Sequence, residues 1–475
     1  LINIIFRERL PRDICTVKMP FMDDNLYGLL QKYDLPTPRY TSYPTVPYWQ
    51  FDTLSIDKWK ESVVKRYNAE SGELSLYIHL PFCEELCTYC ACNKRITKNH
   101  RVEDPYIETV LKEWVMYRAL LHGTPVIREI HLGGGTPTFF SPANLERLIN
   151  GLTKDCVIAE GHEFSVEVHP NHTSRQHLET LSRLGFNRIS LGVQDFDPTV
   201  QFIINRIQTF ERTKEVIDWA RELGYDSVNI DLIYGLPKQT IDSIIDTIEK
   251  VKLLMPDRIA FYSYAHVPWK SKGQRRYTDE DVPVAAEKLK MYTTGNEMLA
   301  KIGFVSIGMD HFALPGDKLL TAYKKGALHR NFMGYTTTNN RLLIGLGVSA
   351  ISDTWDAFAQ NEKEVEAYEA KIHAGEWPLV NGHLLSDQDI VIRQHILNLM
   401  CRDTTTISEA DLGAELYASF RNKAEKLVDD GLLELQDNEL HIIKQGKLFI
   451  RNICATLDAY LLQVKTTSGM FSKAI

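Results

Sequence analysis

Six short runs rich in β-branched and aromatic residues recur through the middle of the chain, each parted from the next by an amphipathic helical stretch. No other feature constrains the fold as tightly. The runs are LSLYIHL (74–80), IREIHL (127–132), EFSVEVH (163–169), RISLGV (188–193), SVNIDLIYG (227–235) and DRIAFYSYA (257–265). Helical periodicity fills 103–122, 141–150, 174–184, 209–223, 240–254 and 283–302. A strand that returns through a helix lands parallel to its predecessor, so the expected class is α/β with a parallel sheet. Six such units, with polar residues just past the strand ends, fit a barrel-like array whose chemistry lies at the carboxyl ends of the strands. An open doubly wound sheet satisfies the same pattern.

Beyond residue 370 the pattern changes. Ser386 and Asp389 form a capping signature before IVIRQHILNLM, 408–430 reads as a second helical region, and GLLELQDNELHIIKQG reads as a hairpin turning at Asp437–Asn438. Helices leading into a hairpin resemble a winged helix. Yet residues 429–439 carry Asp429, Asp430, Glu434, Asp437 and Glu439 with no Lys or Arg, which favours a lid or packing domain over a nucleic-acid reader. The formal charge of -8 points the same way, against broad binding to nucleic acid or anionic membranes.

No apolar run approaches the ~20 residues of a membrane helix. The opening LINIIFRERLPRDICTVKMP lacks the sustained apolar segment and cleavage site of a signal peptide. Met19 and Met22 precede what reads as the start of a domain, so residues 1–21 are expected to be an upstream extension. Cys15, Cys156, Cys401 and Cys454 are far apart and read as unpaired thiols of a reducing, cytoplasmic compartment.

The other four cysteines crowd into PFCEELCTYCACNK, directly after the first strand. Cys83, Cys87 and Cys90 have the form C-x3-C-x2-C. Structural zinc wants four ligands and a closed shell, and Cys92 could complete one only by turning back beside Cys90. A thiol redox pair has support only from Cys87-x-x-Cys90. Three thiolates can instead hold three irons of a [4Fe–4S] cube and leave the fourth iron open to a ligand. That spacing, in that place, resembles the radical S-adenosylmethionine superfamily.

Polar and glycine-rich strand ends supply the rest of a site. HLGGGTPT removes three consecutive Cβ atoms at Gly133, Gly134 and Gly135, which permits close backbone approach, and it lacks the Lys and Ser/Thr of a phosphate loop. Glu167 and Asp231 offer acceptors for a ribose or an ammonium group, and Gln194 and Asp195 stand at another strand end. Arg206 offers a planar fork for a carboxylate.

Taken together, PRYTSYPT, LYIHLPFCEELCTYCACNK, GGGTPT, GVQDF, NIDLIYGLPKQT, GMDHFA, NFMGYTT and GVSAIS resemble the oxygen-independent coproporphyrinogen III oxidases of bacterial haem synthesis, from about residue 30 to the C-terminus. The resemblance implies an incomplete (β/α)6 TIM-like barrel over 74–369 with a mainly helical C-terminal domain over 370–475. It implies that 22–73 covers the barrel mouth and that the protein is a monomer. It further implies one [4Fe–4S] cluster on Cys83, Cys87 and Cys90, with Cys92 outside the ligand set, and two S-adenosylmethionine molecules. Tyr77, Tyr89, Gly134 and Glu167 match contacts to the cluster-bound cofactor. Gly135, Thr136, Gln194, Arg206, Asp231, Ala265 and Ile351 match the surroundings of the second.

The implied activity is the conversion of two propionates of coproporphyrinogen III to vinyl groups, giving protoporphyrinogen IX through a 5′-deoxyadenosyl radical. A low-potential donor such as flavodoxin or ferredoxin would supply electrons. Arg39 and Arg330 are candidate contacts for substrate carboxylates. Three positions depart from the family pattern: Tyr89 in place of phenylalanine, His169 where a short acidic or amide residue is common, and Met333 in place of a glutamine near the second cofactor. A radical methyltransferase acting on haem and a haem-binding chaperone are the alternative readings. Cys92, GVQDF and PRYTSYPT resemble the oxidases rather than the chaperone.

Overall fold

The computed structural model describes residues 24–269, 271–463 and 471–473. The extension expected over 1–21, with Cys15, lies outside the described residues. All six expected strands form: β1 (Glu73–Leu80), β2 (Val126–Gly134), β3 (Val157–Val168), β4 (Arg188–Gln194), β5 (Ser227–Tyr234) and β6 (Arg258–Ser263). The helices between and after them are α3 (Glu103–Arg118), α4 (Pro142–Thr153), α5 (Arg175–Arg183), α6 (Phe210–Glu222), α7 (Ile241–Leu254) and α8 (Ala285–Ile302). Each strand pairs in parallel with the next in chain order. A doubly wound sheet reverses its order at a switch point; this one does not, so every crossover adds to the same side and the sheet curls.

Later segments extend both edges. β7 (Val305–Ser306) and β8 (His311–Ala313) follow β6 in antiparallel fashion. At the other edge β9 (Leu343–Leu346) runs parallel to β1, and β10 (Ile351–Asp353), β11 (Ala357–Asn361) and β12 (Leu379–Leu384) follow antiparallel. Among the described residues the edge strands β7 and β12 do not pair, so the barrel is incomplete. The composition change near residue 370 does not mark the end of the sheet, because β12 lies beyond it.

The six strands alternate in character. Leu74, Leu76, Ile78 and Leu80 of β1, Phe164, Val166 and Val168 of β3, and Val228, Ile230 and Leu232 of β5 face the helices in one large core. Each such side chain contributes about 1.5–3 kcal/mol on burial. The intervening residues point into the bore, and they are polar: Ser75, Glu129, His131, Ser165 and Asn229 are buried there and Arg188 is half-buried. TIM barrels usually fill this space with apolar layers. Here Arg188 and Arg258 pair with Glu163 at 3.0 and 3.7 Å, and Arg258 reaches Asp317 at 2.8 Å, plugging the amino ends of the strands with charge.

A second core joins the C-terminal region to the N-terminal segment. Ile392 and Ile396 of α9 (Asp387–Arg402), Phe420 and Ala424 of α10 (Ala414–Asp429), and Phe449 pack with Leu29 and Leu30 of α1 (Asp24–Tyr33) and with Tyr40 and Tyr43. Ser386 and Asp389 form the expected capping box. The expected hairpin turns at Asp437, and Thr404–Thr406 adds a third strand to it. The helices α1 and α2 (Ile56–Ala69) were not apparent in the sequence pattern. No described helix is long and apolar enough to cross a membrane.

Candidate active site

The cysteine loop is tied down by its backbone. Phe82–Cys83 bridges in parallel to Arg95–Ile96, with Arg95 N–H donating to the Pro81 carbonyl at 2.8 Å and Thr97 N–H to the Cys83 carbonyl at 2.9 Å. Between those anchors Thr88 N–H donates to the Ile204 carbonyl, Lys94 Nζ to the Cys90 carbonyl at 3.0 Å, and Ser271 Oγ to the same carbonyl at 3.1 Å. Gln274, only 1% exposed, donates from Nε2 to the Tyr89 carbonyl at 3.0 Å and the Ala265 carbonyl at 3.3 Å, joining the loop to the end of β6.

The three cysteines of the C-x3-C-x2-C run line a cavity of about 320 Å³ that the loop shares with the carboxyl ends of β2 to β5. Burial pushes the Cys83 thiol up to about 11, against a hydrogen bond from Thr136 Oγ1 at 3.4 Å. Cys90 is held down to about 6, first by its contact with the Cys92 thiol, and that same contact pushes Cys92 upward. The turn that would bring Cys92 back beside Cys90 is therefore present. Among the described residues no three His, Cys, Asp or Glu side chains gather closely enough to hold a single metal ion.

Two glycines of GGGTPT are required by close approach. A Cβ on Gly135 would lie 2.5 Å from the Pro81 carbonyl oxygen, and one on Gly134, at φ +110°, would lie 2.7 Å from the His79 ring. The Gly134 N–H donates to Glu167 Oε2 at 3.3 Å, and His131 Nε2 stands 3.3 Å from Oε1. Burial pulls the Glu167 carboxyl up, yet the His131 and Gly134 contacts outweigh it and hold the group below the usual range. Asp231 goes the other way. Burial, followed by repulsion from Glu167, lifts it to about 7, against hydrogen bonds from Asn229 at 2.8 Å and Ser190 at 3.2 Å. Environment thus splits two neighbouring carboxyls into a fixed anion and a proton carrier.

Arg206 is 9% exposed. Its Nη2 donates to the Gly192 carbonyl, its Nη1 lies 3.5 Å from the Cys87 sulfur, and its Nε is buried without a hydrogen-bond partner among the described residues. Gln194 lines the same cavity with φ +70°, a conformation unusual outside glycine.

Eleven of the fourteen residues picked from the sequence face this cavity; Tyr77, Ala265 and Ile351 do not. Tyr77 stacks on His131 behind Gly133. Ala265 reaches the loop only through Gln274. Ile351 packs beside Trp49 and Phe358, on the far side of β9 from β1. His169 lines the cavity, with burial and Arg206 pushing its ring far below the usual imidazole range. Met333 lines the adjoining bore with Asp231 and Tyr262. Arg39 is paired with Asp310 at 2.9 Å, and Arg330 is buried over the Tyr335 ring at 4.7 Å. Sequence reasoning missed His131, Ser190 and Asn229, which orient the two carboxyls. Their signal was the polar alternation within strands of a parallel sheet, which normally read as continuous apolar runs.

Residues 77–251 match the radical SAM superfamily model. The chain is 40% identical to the oxygen-independent coproporphyrinogen III oxidase of Pseudomonas aeruginosa over 91% of its own length and 95% of that protein. It is 39% identical to the Escherichia coli protein of the same name, over 94% and 98%. The solved coproporphyrinogen III oxidase of Escherichia coli, described as a radical SAM enzyme, superposes with a TM-score of 0.84 at 37% identity, covering 91% of this chain and 98% of that one. The chain belongs to the oxygen-independent coproporphyrinogen III oxidase family.

Membership of this oxidase family brings with it a [4Fe–4S] cluster and S-adenosylmethionine. The residues present fit both groups. A cluster spreads its ligands over several irons, so it suits thiols that share a cavity without converging on one point, whereas a lone zinc draws every sulfur to about 2.3 Å. Arg206 and Glu167 line the same space, and their guanidinium and carboxylate match the carboxylate and ammonium ends of an amino-acid moiety.

Proposed function

We propose that this chain is an oxygen-independent coproporphyrinogen III dehydrogenase of haem biosynthesis, converting two propionates of its substrate to vinyl groups and yielding protoporphyrinogen IX. The observation that carries this reading is the single cavity in which the cysteine loop meets Arg206, Glu167 and Asp231. When bound, the cluster and S-adenosylmethionine supply a 5′-deoxyadenosyl radical able to take a hydrogen atom from an unactivated carbon, which side-chain bases do not do.

Cys83, Cys87 and Cys90 are proposed as the iron ligands, with Cys92 beside them as a hydrogen-bonding neighbour. Glu167, kept anionic by His131 and the Gly134 N–H, accepts from the ammonium group of the cluster-bound cofactor. Arg206 clamps a carboxylate with its guanidinium on the side that faces Cys87. Asp231, whose carboxyl burial lifts to about 7, accepts or donates at a ribose hydroxyl of a second S-adenosylmethionine. Tyr89, Gly135, Thr136 and Gln194 shape the cavity wall between the two cofactor places. Arg39, half exposed over the Tyr262 ring, is offered to a substrate propionate.

The reading includes a monomer acting in the cytoplasm and reduced by flavodoxin or a ferredoxin. It divides the chain at 74 and, with β12 counted in the barrel sheet, after Leu384 rather than at 370, with 22–73 over the barrel mouth. The contact of Tyr40 Oη with Asp458 at 3.0 Å, and that of Arg451 with the Pro38 carbonyl at 3.1 Å, support an N-terminal segment held against the C-terminal region.

The test is anaerobic incubation of the reconstituted protein with coproporphyrinogen III, S-adenosylmethionine and a strong reductant. Release of carbon dioxide with the divinyl product is the expected result. Cleavage of the cofactor with all four propionates intact would overturn it.

A further inference from the structure

A second crevice lies toward the opposite end of the strands from the cysteine cavity. Arg341 stands two residues before β9, whose first residue, Leu343, pairs with Ser75 near the start of β1; the cysteine loop follows the carboxyl end of that same strand. The crevice measures about 500 Å³, within the range of small-molecule sites. Its walls are His329 from the hairpin His329–Asn331/Gly334–Thr336, Arg341, Trp355, and Gln394, Asn398 and Arg402 of α9.

Charge is its distinguishing feature. No Asp or Glu lines it, in a chain of net charge -8. Arg341 makes no ion pair and no hydrogen bond among the described residues. Its guanidinium lies 4.1 Å from the centre of the Trp355 ring, an arrangement that leaves the in-plane N–H fork free. Arg402 is likewise without an ion pair among the described residues. The nearby acids are engaged: Glu70, whose charge reaches Arg341, is paired with Arg66 at 3.8 Å. Asp353 is bound by Arg393, and Asp403 by Lys447 at 2.6 Å and Tyr323 at 2.5 Å. His329 is 8% exposed and its ring makes no hydrogen bond among the described residues.

Arg341 and Arg402 line one crevice with no ion pair of their own among the described residues, and a bound anion there would meet both charges. Guanidinium forks match the geometry of phosphate and carboxylate oxygens. Gln394 Nε2 donates to Asn398 Oδ1 at 2.9 Å and Asn398 Nδ2 to Thr405 Oγ1 at 3.3 Å, so each amide keeps one N–H for a ligand. We propose that this crevice binds a small multivalent oxyanion, of the phosphoryl or polycarboxylate type, which bridges the barrel sheet to α9.

Calorimetry on the cluster-loaded protein tests this, with pyrophosphate and citrate titrated separately at constant ionic strength. Saturable binding of either is expected; the one that binds assigns the ligand to the phosphoryl or the polycarboxylate class. Arg402→Gln, a surface change that should fold normally, is expected to weaken binding by about 10-fold, as the loss of a charge-assisted contact does. Arg341→Gln should do the same, and Arg101→Gln, on the exposed surface near the cysteine loop, should change nothing. Absence of saturable binding by both anions would overturn the proposal. So would binding that survives Arg402→Gln and Arg341→Gln undiminished.

Discussion

Arg206 holds one guanidinium nitrogen 3.5 Å from the Cys87 sulfur and keeps another, Nε, buried with no hydrogen-bond partner among the described residues. A buried donor left unmade costs free energy until a ligand meets it. Arg206→Gln is therefore expected to weaken S-adenosylmethionine binding by about 10- to 100-fold, the worth of a hydrogen bond to a charged group. Equilibrium binding to the reconstituted protein measures it. Unchanged affinity would remove Arg206 from the cofactor's contacts.

The ligand set separates by single substitutions. Cys83→Ser, Cys87→Ser and Cys90→Ser should each lose most cluster absorbance and iron after anaerobic reconstitution. Cys92→Ser should retain both, while altering the thiol titration of its neighbour Cys90 in the iron-free protein. Equal iron loss in all four variants would make Cys92 a ligand.

Gln274 acts on the site through the backbone of others. Its amide satisfies the Tyr89 and Ala265 carbonyls and accepts from the Val267 N–H at 2.6 Å. Gln274→Leu strands those three groups, at about 1–3 kcal/mol for each that stays dry. The expected outcome is faster cluster loss under air together with a lower melting temperature, and Gln274→Glu should recover part of both. A variant that keeps wild-type cluster lifetime would show that the loop does not depend on this amide.

Met333 faces the bore near Asp231 and Tyr262 and brings a thioether, which donates no hydrogen bond. Met333→Gln is expected to raise the affinity or occupancy of a second S-adenosylmethionine several-fold while leaving the iron content alone. Identical stoichiometry and affinity in the two proteins would reject this.

Glu113 offers a pH signature remote from the cysteines. It accepts from the Gly347 N–H at 2.8 Å, Asn361 Nδ2 at 2.7 Å and the Tyr368 hydroxyl at 2.6 Å, and burial lifts it from 4.5 to about 7. The folded chain thus holds this proton more tightly than the unfolded chain. Its contribution is complete below pH 4.5 and is lost as the pH rises through about 7. Glu113→Gln should lower stability at every pH, because one amide N–H now meets other donors, and should flatten the decline between those two values. Melting temperatures across that window decide it; an unaltered slope would mean that Glu113 stays charged throughout.

The strand–helix alternation revealed the six barrel strands in order, and the C-x3-C-x2-C spacing revealed the loop. Both are local signals with a fixed period or count. The edge strands β9 to β12 were not legible, because a three-residue strand such as Ile351–Asp353 carries too few residues to show a period. Gln274 gave no signal at all: its role depends on a fold that brings residue 274 beside residue 89. The placement of Ile351 away from the cysteine cavity has the same origin, since position along the sheet is set by long-range pairing.

The barrel's polar lining has a consequence for how such a protein can change. Cohesion resides in the ring where leucines, isoleucines and valines meet the helices, while much of the lumen holds hydroxyls, amides and carboxyls that bind one another. Exchanging those inner groups alters the chemistry on offer and leaves the outer seal intact. A scaffold so divided can be re-purposed from within.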